Sequence, residues 1–348
     1  MKQDSLIKHL RENDVSEQII EDVIDSGYFF RTWSDPSRGL YTTVSDPFYG
    51  SKQFSSSFST VDFISHIKGE RPISNNLPPF HRICAKSFAD VQEILRTKHL
   101  ARYAQDGSLT FRGQPREYYV RRRIPNPLRS DASGREISIM PGAYRQGTDK
   151  YSLAADVNEH RTFEFLTGII EDHDEYSGLG DQFSYDLMRT EQHYATQTRG
   201  LDLAFDIRSA LFFATNQFMR DEQGKAFYRS ISKGEHQGVL YLFRFTMPSV
   251  NRTEYLIRDF DFFKKHRPER IIRQSCGLPL IGDYERNIAI TDIDCIIELD
   301  KDFEYDNGLT QEFMFPSTDE DLFYKKLLDL KNDFPDDLDK IVEYQCAR

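Results

Sequence analysis

The spacing of apolar residues changes period several times along the chain, and each change marks an element. Leu6, Ile7 and Leu10 recur among charged residues at helical spacing. That pattern predicts one or two short amphipathic helices within residues 1–25, stopped by Asp25-Ser26-Gly27. From Tyr28 to Pro79 the periodicity lapses into Ser, Pro, Gly and many rings, among them Phe29, Trp33, Tyr41, Phe48, Tyr49 and Phe58. Disordered chain is poor in aromatic residues, so this stretch reads as an ordered but irregular segment draped on the main body. Ser87 opens a helix: it can cap, Asp90 stands three residues on, and Phe88, Val91, Ile94 and Leu95 share one face. Beyond the polar turn at Gln105-Asp106-Gly107, a short strand runs from Ser108 to Phe111 and ends in Arg112-Gly113-Gln114.

Further along, Asp181 to Tyr194 reads as a helix with Phe183, Leu187 and Met188 inward, and Thr198 to Leu203 as a strand or extended turn. Asp206 caps a strongly periodic helix whose inner face is Ile207, Ala210, Leu211, Ala214 and Phe218. Val239 to Phe245 has the strongest strand pattern, and Ile288 to Leu299 offers another. Ser317-Thr318-Asp319-Glu320 forms a capping box before a final helix carrying Leu322, Phe323, Leu327 and Leu330, with a last turn from Pro335. Helices mixed irregularly with a few strands predict an α+β fold, a central mixed or antiparallel sheet flanked by helices. Three segments follow: an extension over 1–86, a main domain over 87–299, and an acidic helical tail over 300–348.

Charge adds a location to this outline. The 348 residues carry 45 basic and 56 acidic side chains, a formal charge of −11. That total excludes a protein that coats nucleic acid or anionic lipid by bulk charge. The acidity is concentrated: Glu298 to Arg348 hold 15 acidic and 6 basic side chains, which leaves the rest of the chain at −2. In that near-neutral body Arg112, Arg116, Arg121, Arg122, Arg123 and Arg129 are interrupted by a single acid, Glu117. Such a run serves either as a solvated face or as a phosphate-facing site. The 4 cysteines show no CxxC spacing, which suits a reducing compartment and gives neither a zinc site nor a disulfide framework. No stretch approaches the roughly 20 apolar residues of a membrane helix, nor does the N-terminus carry a secretory apolar core. A cytoplasmic chain with no membrane partner is the expectation.

Gly-rich phosphate loops, GxSxG, HExxH and paired CxxC motifs are all missing from the sequence. Three other segments carry information. The first is Phe111-Arg112-Gly113-Gln114. The second is Gln192-His193-Tyr194-Ala195, followed by Thr198-Arg199-Gly200-Leu201-Asp202 and Ser209-Ala210-Leu211-Phe212-Phe213-Ala214. The third is Pro268-Glu269-Arg270-Ile271-Ile272-Arg273-Gln274-Ser275-Cys276-Gly277. In this order they resemble the FRG domain family over roughly residues 87 to 299. That family has an F/Y-R-G motif, then QHxG, TRLLDW and ALxFA patterns, and a later RIxxQxG element. Ala195, Gly200 and Leu203 depart from the pattern, and the 78 residues from Gln114 to Glu191 suggest an insertion. Ile139 to Arg145 matches an L-x-P-x-x-x-R element of the family inside it. The resemblance implies a bacterial or phage-related setting and a fold similar to ADP-ribosyltransferases.

The chemistry of these residues suits a nucleotide. Arg112, at a strand end, offers a fork for phosphate or carboxylate. His193 is a donor or general base near neutral pH. Thr198, Arg199 and Asp202 lead into the N-terminus of the Asp206 helix, where anions bind readily. Gln114 and Gln274 can hydrogen-bond a ribose or base. The leading expectation is NAD-dependent ADP-ribosyl transfer or NAD glycohydrolysis, with NAD as substrate and no metal. Arg112, His193, Asp202 and Gln274 form its catalytic set, and Arg112, Gln114, Thr198, Arg199 and Gln274 hold the nucleotide. A protein or nucleic acid would be the acceptor. Two other readings stand beside it. One is a nucleic-acid binding or cleaving protein, using the arginine run with Tyr118 and Tyr119 to stack on bases. The other is a non-catalytic sensor or interaction module in stress or phage defence, the acidic tail acting as a lid over the arginines or as a docking arm. The cluster Glu171-Asp172-His173-Asp174-Glu175 reads as a solvated helix end rather than a cation site.

Overall fold

Near the N-terminus, helices α1 (Lys2–Glu12) and α2 (Glu17–Asp25) form as the spacing predicts, with the Ser16 hydroxyl accepting from the Ile19 backbone N–H to start the second. This is a computed structural model, and it describes residues 2–37, 39–49, 57–73, 80–102, 109–145, 189–198, 200–244, 268–278, 287–289, 293–305 and 308–345. The aromatic-rich segment is more regular than its composition suggests. Strands β1 (Phe29–Asp35) and β2 (Gly39–Ser45) pair antiparallel along their whole length. Two further elements, β3 (Ser57–Phe58) and α3 (Thr60–Ile67), complete a small layer. Tyr28, Val44, Phe58 and Phe63 pack with Leu6, Leu10, Ile20 and Val23 in a core of their own. Aromatic and β-branched residues, among them Phe29, Phe30, Thr32, Trp33, Tyr41, Thr42, Thr43 and Val44, favour the extended chain of the hairpin despite the surrounding Ser, Pro and Gly.

The main body begins with β4 (Arg82–Ser87) and α4 (Phe88–Thr97), where the Ser87–Asp90 capping box forms in full. Strand β5 (Leu109–Gln114) runs through the Phe-Arg-Gly-Gln motif instead of stopping before it, so Arg112 is a mid-strand residue. A small hairpin of β6 (Tyr119–Val120) and β7 (Glu136–Ile137) follows. After the short β8 (Leu203–Ala204), Asp206 caps α5 (Ile207–Thr215). Phe218 is not on that helix. Thr215 Oγ1 donates back to the Leu211 carbonyl at 2.8 Å, and Asn216 Nδ2 to the Phe212 carbonyl at 2.9 Å. With its last carbonyls satisfied the helix ends, and Phe218 falls in β9 (Asn216–Arg220), paired with β10 (Ala226–Ser230).

Next come β11 (Val239–Arg244), α6 (Glu269–Gln274), β12 (Cys276–Gly277) and β13 (Ile293–Glu304). The tail adds α7 (Gln311–Met314) and α8 (Leu322–Asp333). Asp321, not Ser317, caps α8, because residues 317–321 close a turn of their own in which Asp321 N–H donates to the Ser317 carbonyl at 2.8 Å. Leu322 consequently points outward at 53% exposure.

Six strands form the central sheet in the order β12-β8-β5-β11-β13-β4, antiparallel except for the β13–β4 edge. The fold is α+β. Strand β11 lies at its middle and is buried on both faces. Leu240 and Leu242 pack with Val91, Phe111, Ala210 and Ile297 beneath α4 and α5. Val239, Tyr241 and Phe243 pack with Ile139, Leu201, Leu203 and Ile296 on the other side. Among the described residues no helix is long and apolar enough to cross a membrane.

Candidate functional site

One glycine sets the location of the site. A Cβ on Gly113 would sit 1.7 Å from the Ala210 carbonyl oxygen, so α5 can lie on β5 only over a bare backbone. This close contact brings the β5 motif, the residues leading into α5 and the end of α6 around one cavity of about 550 Å³. Arg112, Gln114, His193, Thr198, Asp202 and Gln274 all line it. Arg199 lies outside the described residues, as do residues 171–175 and most of the helix expected over 181–194, of which 189–194 is seen as helical.

Hydrogen bonds among the lining residues hold some of their polar atoms in place and leave others without a partner among the described residues. Arg112 Nη1 donates to the Asp202 carbonyl oxygen at 2.7 Å, tying β5 to the segment before β8. Asp202 Oδ2 accepts from Gln192 Nε2 at 3.3 Å, and the Thr198 hydroxyl donates to Gln192 Oε1. Gly200 lets that segment come close, since a Cβ there would lie 3.0 Å from the Gln192 Cβ. His193 Nδ1 is 2.8 Å from the Arg189 carbonyl oxygen, and because a carbonyl only accepts, Nδ1 carries the proton. In the neutral ring Nε2 is then the acceptor. Arg112 Nε, Gln114 Oε1, His193 Nε2 and Asp202 Oδ1 are buried and have no hydrogen-bond partner among the described residues. Buried polar atoms are normally satisfied, so four of them on residues that line one cavity mark it as a candidate site for a polar ligand.

Electrostatics sharpen the set. Burial pushes the His193 pKa down from 6.5, against the opposing pull of Asp202 Oδ1 at 3.9 Å from Nδ1. Burial likewise lowers the Arg112 pKa, with the Asp202 charge again opposing. Arg145 reaches the same cavity from the turn after Met140, whose carbonyl accepts from its Nε at 2.8 Å. Although the residue remains exposed, the protein around it removes part of the hydration of its charge. That partial desolvation, with the like charge of Arg112, brings it down to about 10, still cationic at neutral pH. Gln274 has a structural tie as well, donating from Nε2 to the Met314 carbonyl at 2.9 Å. It ends α6, and Ser275 turns the chain into β12 through a left-handed conformation at φ 49°.

The arginine run does not form one surface. Arg122 is buried and paired with Asp46 at 2.7 Å and Glu136 at 2.8 Å, holding the N-terminal layer to the body. Burial disfavours its charge, but the two carboxylates outweigh this and raise its pKa. Arg116 lies over Tyr118 at 5.2 Å, Arg129 over Phe80 at 5.2 Å, and Arg121 and Arg123 are exposed. In its described part the acidic tail is packed against the body. Thr196 N–H donates to the Lys340 carbonyl at 2.9 Å and Val342 N–H to the Tyr194 carbonyl at 3.0 Å. Phe315, Val342 and Tyr344 form part of the cavity wall.

Sequence reasoning passed over Arg270. It is 0% exposed, its Nη1 donates to the His193 carbonyl at 2.9 Å, and it lies over the rings of Tyr194, Tyr324 and Tyr344 at 4.6, 4.4 and 4.8 Å. Asp321 binds the Arg270 backbone N–H at 3.2 Å and the Tyr194 hydroxyl at 2.7 Å. The signal was present in the third motif, but its tail partners lie too far along the chain to be paired with it from spacing. Among the described residues no group of three or more His, Cys, Asp or Glu is placed to hold a metal ion. Cys276 also lines the cavity, yet burial raises its thiol well above the ordinary value and leaves it a poor nucleophile. Comparison with known proteins finds no matching family model, curated protein or solved structure.

Proposed function

We propose that this chain is an FRG-domain protein and a nucleotide-directed enzyme that breaks the N-glycosidic bond of NAD, passing the ADP-ribosyl group to water or to an acceptor hydroxyl. The observation that carries the reading is convergence. Residues from three motifs far apart in sequence, Arg112, His193, Asp202 and Gln274 among them, line one cavity of about 550 Å³, a size in the ~300–1,000 Å³ range of small-molecule sites. Four polar atoms of those lining residues are buried with no hydrogen-bond partner among the described residues.

Each atom has a role it can fill. Arg112 Nε and the Arg145 guanidinium hold the pyrophosphate, a paired cationic clamp. Gln114 Oε1 is acceptor-only and suits a ribose hydroxyl; Gln274, its amide nitrogen committed to Met314, keeps its carbonyl oxygen for the same purpose. Nicotinamide leaves as a neutral ring with the bonding electron pair, and Asp202 Oδ1 stabilises the positive charge that develops on the ribosyl carbon. His193 Nε2 takes the proton from the attacking water or hydroxyl. The sum is NAD plus water or alcohol giving nicotinamide, the ADP-ribosyl product and one proton. Nicotinamide release, followed by chromatography, tests this. Wild type should release it, and Arg112→Gln should slow release by roughly 100-fold or more, the scale for losing a preorganised charge contact. Intact NAD with wild-type protein, in water and with candidate acceptors, would sink the reading.

A further inference from the structure

The charged residues account for only part of the cavity lining. Tyr228 on β10, Phe315 after α7 and Tyr344 in the tail stack on one another. Ring centroids are 4.9 Å apart for Tyr228–Phe315 and 4.4 Å for Phe315–Tyr344, with interplanar angles of 19° and 20°. Phe213 of α5 and Phe218 of β9 meet Tyr228 edge-on at 5.9 and 5.5 Å. All five rings line the cavity, and Phe218 keeps 38% of its surface exposed. Arg270 lies over Phe315 at 5.4 Å and Tyr344 at 4.8 Å while holding the His193 carbonyl. One buried guanidinium thereby links the ring wall to the histidine wall.

We infer that this aromatic wall, supplied in part by the C-terminal tail, is the specificity-determining subsite and takes the flat heterocycle of a nucleotide. The inference rests on the nucleotide reading of the same cavity and narrows it: ligands with a base are selected over sugar phosphates. A base presents a π face to a ring wall, whereas a sugar phosphate has none to offer. The rings are already stacked, so little side-chain freedom is lost when a base arrives. Glu343, beside Tyr344, is paired with Lys331 at 3.3 Å, so the tail brings its ring to the cavity with that neighbouring charge balanced.

Calorimetric titration of the full chain with ADP-ribose, ribose 5-phosphate and inorganic pyrophosphate tests the subsite. ADP-ribose should bind tightest. Tyr344→Leu and Phe218→Ala should each weaken ADP-ribose roughly tenfold to a hundredfold, the scale of a lost base–ring stack, and leave the other two ligands within about twofold. Arg112→Gln should weaken all three. Phe218 is on an exposed hairpin, so its variant remains informative if Tyr344→Leu fails to fold. Pyrophosphate binding as tightly as ADP-ribose, with neither ring variant changing the ratio, overturns the subsite but leaves the anion site standing. No binding by any of the three overturns both.

Discussion

His193 shows how a single residue is prepared by its surroundings. The Arg189 carbonyl sets its tautomer, and burial lowers its pKa from 6.5. Two consequences follow from the same shift. Nicotinamide release should stay flat as pH falls through 6.5 and decline only at lower pH, because the ring remains neutral and able to accept a proton. Stability should move in the matching direction. The unfolded chain takes up a proton near 6.5 and the folded one resists it, so the unfolded state binds more protons below that value and stability is lost as pH falls. Thermal midpoints measured from pH 7 to pH 5 should fall, and fall less for His193→Gln, whose amide can still donate to Arg189 but does not titrate. An equal fall in both proteins would show that other groups govern the acid limb. The motif already singled out His193, which lines the cavity. Its tautomer was not legible in the sequence, since the Arg189 carbonyl four residues earlier is in reach only once 189–194 is helical.

Elements meet through a few tight contacts, and the β5–α5 contact is the tightest of them at the site. Gly113→Ala would place a methyl 1.7 Å from the Ala210 carbonyl, against backbone that cannot rotate away. The strand and helix must separate, at a cost of at least the ~1–3 kcal/mol typical of overpacking. Urea denaturation should show the loss, and ligand affinity should drop with it because Arg112 and Gln114 flank the displaced residue. Retained stability would mean that the sheet yields more easily than close packing allows. Patterning anticipated α4, its capping box and β11, where local signals and burial agree. It misplaced Phe218 and the cap of α8. There, side-chain bonds from Thr215 and Asn216, and a separate turn at 317–321, decide where helix ends.

Across the whole molecule, charges that looked like surface turn out to be joints. Arg122 ties Asp46 of the N-terminal layer to Glu136 of the body, with the side chains of all three residues fully buried. It also donates to the Ser26 carbonyl at 3.1 Å. Arg122→Met would leave two carboxylates buried without their cation, a loss of about 3–5 kcal/mol. Proteolysis and thermal unfolding should detect it as an early release of the N-terminal layer. A variant unfolding at the wild-type midpoint would mean water replaces the guanidinium. At the other end, the net-negative tail is fastened by Asp321, Tyr324 and Tyr344 around Arg270, and so becomes a wall of the cavity.

The division of labour between sequence and fold follows from range. The sequence by itself determined the α+β class, the main helices and strands, and the motif residues now found around the cavity, because periodicity, caps and short motifs act within a few positions. Tertiary structure alone decided which arginines face a cavity and which are buried ion pairs. It also decided that the acidic tail is built into the site. Those outcomes depend on partners tens to hundreds of residues away, such as Asp46 for Arg122 and Tyr344 for Arg270. A charge acquires its role from the burial and counter-charges that such partners supply, and only the folded chain brings them together.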